Sequence, residues 1–347
     1  MPLYLSIIIA VGIALLISFV ATPGVKWLAG RVGAIDVPKD SRRVHKEPIP
    51  RMGGLAIFIG FIVSVLIMAD IDTQIRGVLI GAIIIVILGL LDDIYTLNAY
   101  IKFLVQIIAA LVAVFHDVVI EILSNPFAFT EAASEFMFLG PWTIPVTVLW
   151  IVGITNAVNL IDGLDGLAVG VSTISAIVML IIALMVSYPN VAIILAALVG
   201  ACIGFLPFNF NPAKIFMGDT GALMLGYLLA TMSIVGLFKF YAVVSFAAPL
   251  LVMALPLIDT CFAFVRRLLK GQKPWTADRG HFHHRLIDMG LSQKQAVAVL
   301  YIISGLLGLG AVVITTNDLF RALILLFAIL VAAVIIFFIL RGKWIKK

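Results

Sequence analysis

Four polar side chains at regular spacing interrupt a long apolar stretch of the sequence. Asn156, Asn159, Asp162 and Asp165 stand at every third position at the end of a hydrophobic run. A carboxylate at the centre of a bilayer costs about 2.5 to 3.5 kcal/mol, so an acid in an apolar span needs a compensating role. Carboxylate and amide oxygens near helix-end carbonyls attract hard cations. The stretch predicts a cation-binding site, because a polar helix end facing water does not explain the two deeper asparagines.

Three other apolar runs also end in polar residues that could join this site. They hold the acidic pair Asp92 and Asp93, the turn with Phe216 and Asp219, and the loop with His281, His283, His284 and Arg285. An aromatic ring beside an acid can stack on a base while the acid holds a metal. Imidazoles next to arginines favour phosphate and sugar oxygens over zinc, because the arginines repel a cation.

Each of these acids also has a purely structural interpretation. The acidic pair can simply end an apolar span, since Thr96 stands where the DDxxD pattern of prenyl-diphosphate enzymes has its third acid. Asp219 can cap the helix that follows it. Asp259 lies inside another apolar run, and we expect it to reach toward Arg266 or Arg267 at the membrane surface.

The composition requires a membrane environment. Hydrophobic residues make up 63% of the 347 residues, charged residues only 12%, and the mean hydropathy is +1.22. Soluble domains usually carry about 25% charged residues. Cys202 and Cys261 lie in apolar runs without CxxC spacing, so neither a disulfide framework nor a thiolate metal site is predicted. The chain is predicted to be an all-α polytopic membrane protein with a single domain over 1–347.

Apolar stretches long enough to cross a bilayer predict about eleven transmembrane helices. They lie near residues 3–25, 53–69, 75–91, 100–122, 142–161, 167–187, 190–208, 220–238, 241–265, 296–315 and 319–340. No Lys or Arg precedes the first stretch, which predicts an N-terminus outside. All but three of the 23 basic residues, Arg76, Lys239 and Arg321, then face the cytoplasm. The C-terminus and all four polar clusters are predicted on that side, which places the active site on the cytoplasmic face.

Two predicted cytoplasmic loops concentrate the positive charge of the chain. The first spans residues 26–52 and contains His45 and Arg51, together with two prolines that hold the backbone extended. Attraction to anionic lipid explains such a loop. Binding of an anionic substrate explains it equally well, and both interpretations stay open.

The combined motifs resemble those of the polyprenyl-phosphate N-acetylhexosamine-1-phosphate transferases, a family that includes enzymes starting teichoic-acid and O-antigen synthesis. The matching motifs are Arg51-Met52-Gly53-Gly54, Leu91-Asp92-Asp93, Asn156-x-x-Asn159-x-x-Asp162-Gly163-x-Asp165-Gly166, Phe216-Met217-Gly218-Asp219 and His281-x-His283-His284-Arg285. The likeness runs in family order from the first predicted span to about residue 295.

The resemblance implies transfer of N-acetylglucosamine 1-phosphate from UDP-N-acetylglucosamine to undecaprenyl phosphate, with release of UMP. It implies Mg²⁺ as cofactor, which Mn²⁺ can replace, held by Asp219 and Asn159. The implied catalytic residues are Asp92, Asp93 and Asp162, the first two where the lipid phosphate enters. The implied substrate-binding residues are Arg51, His45, Asn156, Asp165 on the uracil N3–H, Phe216 on the uracil ring, and His281, His283, His284 and Arg285 on the sugar and its phosphate.

The resemblance also implies a multi-pass protein of the bacterial plasma membrane that can form a homodimer and has no nucleic-acid partner. The related muramoyl-pentapeptide transferases have a pattern like DDxxK at this point, and Thr96 stands here in place of that Lys. UDP-MurNAc-pentapeptide is therefore the less favoured substrate and is kept as the alternative. A transporter is a remoter alternative, because its site would lie near the membrane midplane. A CDP-alcohol phosphotransferase lacks its Ala-Arg pair after Asp165-Gly166. A non-catalytic scaffold would leave the acids without a role.

Overall fold

The computed structural model describes residues 1–38, 47–124, 136–238, 247–269, 281–316, 321, 323–332 and 335. Its α-helices are α1 (Leu3–Val32), α2 (Gly54–Met68), α3 (Thr73–Tyr95), α4 (Ala99–Val114), α5 (Thr143–Ile161), α6 (Leu167–Met185), α7 (Pro189–Asn209), α8 (Gly218–Ser233), α9 (Ala247–Val252), α10 (Ala254–Leu269), α11 (Phe282–Asp288), α12 (Gln293–Thr316) and α13 (Leu323–Ala332). A π-helical turn, Ile234–Phe238, extends α8, and a 3-10 turn, Gly140–Trp142, precedes α5.

In the described part of the chain, two short antiparallel pairs of strands accompany the helices. Strand β1 (Ile35–Asp36) pairs with β2 (Ile49–Pro50), and β3 (Ile122–Ser124) pairs with β4 (Phe136–Phe138). The β1–β2 pair lies between the end of α1 and the start of α2, and in this way it positions residues of the site.

Seven helices of the described chain are long and apolar enough to cross a membrane. They are α1, α3, α5 with its preceding turn, α6, α7, α8 with part of its π-helical extension, and α12, and the shorter apolar helices are α2, α4 and α13. A multi-pass, predominantly helical membrane protein is therefore confirmed. The count of eleven spans and the orientation of the termini stay predictions.

Several predicted spans differ in extent from the observed helices, including the first, because α1 runs to Val32 rather than ending at 25. Helix α3 runs to Tyr95 rather than ending at 91, so the acidic pair lies in its last turn. The stretch predicted as one span over 241–265 contains two helices, and Pro256 lies in the first turn of α10, where its missing N–H costs no helical hydrogen bond. Helix α4 ends at Val114, ahead of the predicted 122.

Helix α8 forms the centre of the bundle and packs against α3 and α5. Its residues are buried without interruption from Thr220 to Ser233. Glycines allow close approach of the neighbouring backbones: a methyl group on Gly89 of α3 would lie 2.3 Å from Thr220 Cα. On Gly54 of α2 it would lie 2.1 Å from Gly221 Cα. Small residues at such contacts are typical of helix packing in membranes, and here they bring the start of α8 to the end of α3.

Candidate active site

The predicted acids and amides meet where the ends of α3, α5 and α8 come together. Asp219 lies in the first turn of α8, and Asp92 and Asp93 lie in the last turn of α3. Asn159, in the last turn of α5, places its Nδ2 3.3 Å from Asp219 Oδ1. Residues separated by up to 127 positions in the sequence thus form one polar cluster.

Asp93 supplies the cap of helix α8. Its Oδ1 accepts a hydrogen bond from the Asp219 N–H at 3.0 Å, and its Oδ2 accepts from the Thr220 N–H at 3.1 Å and the Thr220 hydroxyl at 2.6 Å. Only 1% of Asp93 is exposed. A carboxylate in this position satisfies free N–H groups and the positive end of the helix dipole. The capping role considered for Asp219 therefore belongs to Asp93, which leaves the Asp219 carboxylate available to the site.

Lys102 of α4 joins the cluster, although the sequence suggested only a topological role for it. Its Nζ lies 3.0 Å from Asp92 Oδ2 and 3.0 Å from Asp219 Oδ2. A signal was present: Lys102 is the one Lys or Arg between Arg76 and Lys214. A single retained cation in so long an apolar region points to a carboxylate partner.

A cleft of about 260 Å³ opens beside these residues. Six residues that the sequence singled out contribute to its lining: Arg51, Asp93, Asp162, Asp165, Phe216 and Asp219. Asp36, Asn209 and Gln293 also line it and were not predicted. The cleft is therefore polar, open to solvent and continuous with the acidic cluster.

Backbone hydrogen bonds hold Arg51 and Phe216 at the cleft. The Phe216 N–H donates to the Pro50 carbonyl at 2.8 Å, and the Gly53 N–H donates to the Phe216 carbonyl at 2.9 Å. Arg51 Nε donates to the Asp93 carbonyl at 3.0 Å and lies 3.8 Å from Asp93 Oδ1. The positively charged Arg51 thus borders the acidic cluster on the side of strand β2.

The turn after α5 carries two acids with different surroundings. Burial, followed by the negative charges of Asp219, Asp93 and Asp165, raises the pKa of Asp162 to about 8. Asp165 Oδ2 accepts hydrogen bonds from Asn211 Nδ2 at 2.9 Å and from a backbone N–H at 3.1 Å. Asp165 is therefore fixed in place, whereas Asp162 lines the cleft among other acids.

Asn156, a predicted substrate-binding residue, does not line the cleft. Asn156 forms hydrogen bonds with Gln106 of α4 and with the Val152 carbonyl, one turn deeper in α5. Asn156 thus links α4 to α5, and its direct contact with the substrate stays a prediction. His45 falls outside the described residues.

The histidine segment packs against the turn that follows α5. His283 is buried, and a methyl group on Gly163 would lie 2.3 Å from His283 Nε2. Burial, followed by the charge of His284, lowers the pKa of His283 to about 3. His284 packs on His283 with 4.3 Å between ring centroids, and Arg285 is exposed. Gly163 lines the cleft, so the segment borders it.

The donor chemistry of the cluster fits a magnesium ion held largely by substrate. Among the described residues, no group of three or more His, Cys, Asp or Glu side chains is arranged to hold a metal by itself. Mg²⁺ is commonly held by one or two carboxylates together with substrate phosphates. Asp219 and Asn159 supply one carboxylate and one amide oxygen, and the Lys102 ammonium beside Asp219 and Asp92 shows that this position attracts a cation.

The fold and the acidic cluster define a polar site at the helix ends of a membrane protein, with carboxylates and cations suited to phosphate chemistry. Comparison with known proteins agrees: residues 75–237 match the model of glycosyl transferase family 4. The chain is 40% identical over 326 residues to a probable undecaprenyl-phosphate N-acetylglucosaminyl 1-phosphate transferase of Bacillus subtilis, covering 94% of this chain and 89% of that protein.

Two further relatives extend the comparison. A decaprenyl-phosphate N-acetylglucosaminephosphotransferase of Mycobacterium tuberculosis is 37% identical over 350 residues, covering 92% of this chain and 86% of that protein. An undecaprenyl-phosphate alpha-N-acetylglucosaminyl 1-phosphate transferase of Thermotoga maritima is 33% identical over 270 residues, 78% of each chain. The chain therefore belongs to the polyprenyl-phosphate N-acetylhexosamine-1-phosphate transferase family, which confirms the resemblance seen in the motifs.

Proposed function

We propose that the protein transfers N-acetylglucosamine 1-phosphate from UDP-N-acetylglucosamine to undecaprenyl phosphate, forming undecaprenyl-diphospho-N-acetylglucosamine and UMP. The observation that carries the proposal is the cluster of Asp92, Asp219, Asn159 and Lys102 beside a polar cleft at helix ends. A site at the membrane surface suits a lipid phosphate that meets a water-soluble nucleotide sugar. The names of the relatives point to the same sugar.

In the proposed reaction an oxygen of the lipid phosphate attacks the phosphorus that bears the sugar, and UMP leaves with the electrons of the broken P–O bond. A phosphate monoester has a second pKa of about 6 and is largely dianionic at pH 7, so it needs positioning rather than deprotonation. Among the described residues, Lys102 and Arg51 contact the acidic cluster, and we assign them to the phosphates. Asp92 orients Lys102, and Asp93 positions Asp219.

The remaining side chains are assigned to the base, the sugar and the metal as the family resemblance implies. Phe216 and Asp165, which line the cleft, are assigned to the uracil. His281, His283, His284 and Arg285 are assigned to the sugar and its phosphate. Asp219 and Asn159 would hold Mg²⁺, or Mn²⁺ in its place, which when bound offsets negative charge on the departing UMP.

The proposed setting is the cytoplasmic face of the bacterial plasma membrane. The N-terminus would be outside and the C-terminus inside, with about eleven spans in a single domain. Lys26 and Arg31 at the end of α1 lie beside Pro50, close to the site, as expected if this end of the bundle is cytoplasmic. Assembly as a homodimer is part of the proposal and is open to measurement of the mass in detergent.

The decisive experiment incubates the purified protein with undecaprenyl phosphate, Mg²⁺ and a panel of UDP-sugars. We expect UMP release with UDP-N-acetylglucosamine and a lipid product of the corresponding mass. Preferential turnover of UDP-MurNAc-pentapeptide would overturn the choice of sugar. Absence of UMP with every sugar, from protein that is folded and monodisperse, would overturn the reaction itself.

A further inference from the structure

A buried carboxylate outside the acidic cluster holds the histidine segment in place. Asp259 lies in α10 and is 3% exposed. Its Oδ1 accepts a hydrogen bond from the Phe282 N–H at 2.8 Å, at the start of α11. Its Oδ2 lies 2.8 Å from His281 Nδ1. The carboxylate thus contacts both the backbone and the side chain of a segment that begins 22 residues later, rather than only reaching toward Arg266 or Arg267 as the sequence suggested.

The chemistry of this contact fixes the proton on the imidazole. An ionised carboxylate only accepts hydrogen bonds, so the His281 nitrogen that faces it must carry hydrogen. His281 Nδ1 is then the donor, and Nε2 is the nitrogen left for another partner. The His281 ring stacks on the His283 ring with 5.7 Å between centroids and 10° between planes. His283 in turn packs against Gly163 at the cleft.

We propose that Asp259 is a positioning residue that sets the tautomer of His281 and docks the histidine segment against the cleft. Asp259 acts through His281 and does not itself meet the substrate. The assignment of His281 to the sugar and its phosphate rests on the proposed function, whereas the tautomer and the docking do not. A carboxylate that orients an imidazole is a recurrent arrangement in active sites, and an imidazole in the wrong tautomer lowers the turnover rate there.

The kinetic test compares Asp259→Asn with Thr260→Val. Asn fills the same volume but can donate from its amide, so His281 can turn to the other tautomer without loss of packing. Thr260 is adjacent in α10, and its hydroxyl is buried without a hydrogen-bond partner among the described residues, which makes it a matched control. We expect Asp259→Asn to lower kcat/KM for the UDP-sugar about ten- to a hundredfold, as loss of a histidine's orienting partner does in metal sites. Thr260→Val should stay near wild type.

A double-mutant cycle separates positioning from general damage to the fold. If Asp259 acts through His281, Asp259→Asn should add less than about a twofold loss in a His281→Gln background. Fully additive losses, or an Asp259→Asn variant as active as Thr260→Val, would overturn the proposal.

The tautomer itself can be read from ¹⁵N NMR of histidine-labelled wild-type protein in nanodiscs, with His281 assigned by comparison with His281→Gln. We expect hydrogen on Nδ1. A bare Nδ1 would overturn the proposal whatever the kinetics of the Asp259 variant show. Because this measurement needs no turnover, it also tells failure of the Asp259 proposal apart from failure of the proposed reaction.

Discussion

Replacement of Lys102 by Met removes the cation between Asp92 and Asp219 while keeping most of the side-chain volume. The ammonium lies 3.0 Å from an oxygen of each carboxylate. A hydrogen bond to a charged group contributes about 1.5 to 3 kcal/mol. The side chains of Lys102 and Asp219 are 25% and 29% exposed. Solvent screening therefore reduces the contribution of their contact. We therefore expect a total effect of about 2 to 3 kcal/mol.

If Lys102 exchanges these carboxylate contacts for charged hydrogen bonds of similar strength to the substrate phosphates, Lys102→Met loses about the same free energy in the transition state. A loss of about 2 to 3 kcal/mol corresponds to a roughly 30- to 150-fold decrease in kcat/KM. The assay is UMP release by purified protein in nanodiscs with undecaprenyl phosphate and UDP-N-acetylglucosamine. Arg76→Met is the control, because it removes a positive charge from an exposed position at the start of α3, at the opposite end of that helix from Asp92. Activity of Lys102→Met within about threefold of this control would refute the reasoning.

Two further predictions concern packing and pH. Gly89→Ala should displace the start of α8 and lower both the thermal unfolding midpoint and turnover, because its methyl group would lie 2.3 Å from Thr220 Cα. Gly153→Ala, where no atom lies within 4 Å of the added methyl, should change neither, and equal effects of the two variants would argue against the packing. Burial lowers the pKa of His283 from 6.5 to about 3 in the folded protein. Between pH 3 and pH 6.5, this imidazole is therefore protonated in the unfolded chain but neutral in the folded protein. The stability from neutral His283 is complete above about pH 6.5 and is lost as the pH falls toward 3. His283→Gln should therefore flatten the acid side of a plot of unfolding midpoint against pH, and an unchanged slope would contradict the buried neutral imidazole.

The sequence predicted which polar residues converge, because apolar spans leave few places for an acid and charge asymmetry predicts that those places share one face. It did not predict which acid has which task. Asp93 and Asp219 both line the cleft, yet Asp93 caps α8, whereas the Asp219 carboxylate contacts Lys102 and Asn159. That difference depends on the depth at which α3 meets α8, which is set by the close contact at Gly89 between residues far apart in the chain.

Long-range partners explain the other residues that the sequence missed. Lys102 gains its significance only from carboxylates on two other helices. Asp259 was assigned to nearby arginines, the neighbours that helical spacing provides, whereas His281 reaches it from beyond the end of α10. Local periodicity predicts the helices, but contacts of this kind depend on tertiary packing.

The account depends most on Asp219, and Asp219→Asn tests it most directly. The variant keeps the shape of the side chain and leaves the Asp93 cap of α8 in place, but it removes the anionic ligand proposed for Mg²⁺. We expect Mg²⁺-dependent UMP release to fall by at least about a hundredfold with folding intact, because the charge that offsets the leaving UMP would be poorly held. Asn159→Ala should lose less, since an amide oxygen carries no net charge. Near-normal UMP release by Asp219→Asn would contradict the central claim and show that the metal is held elsewhere.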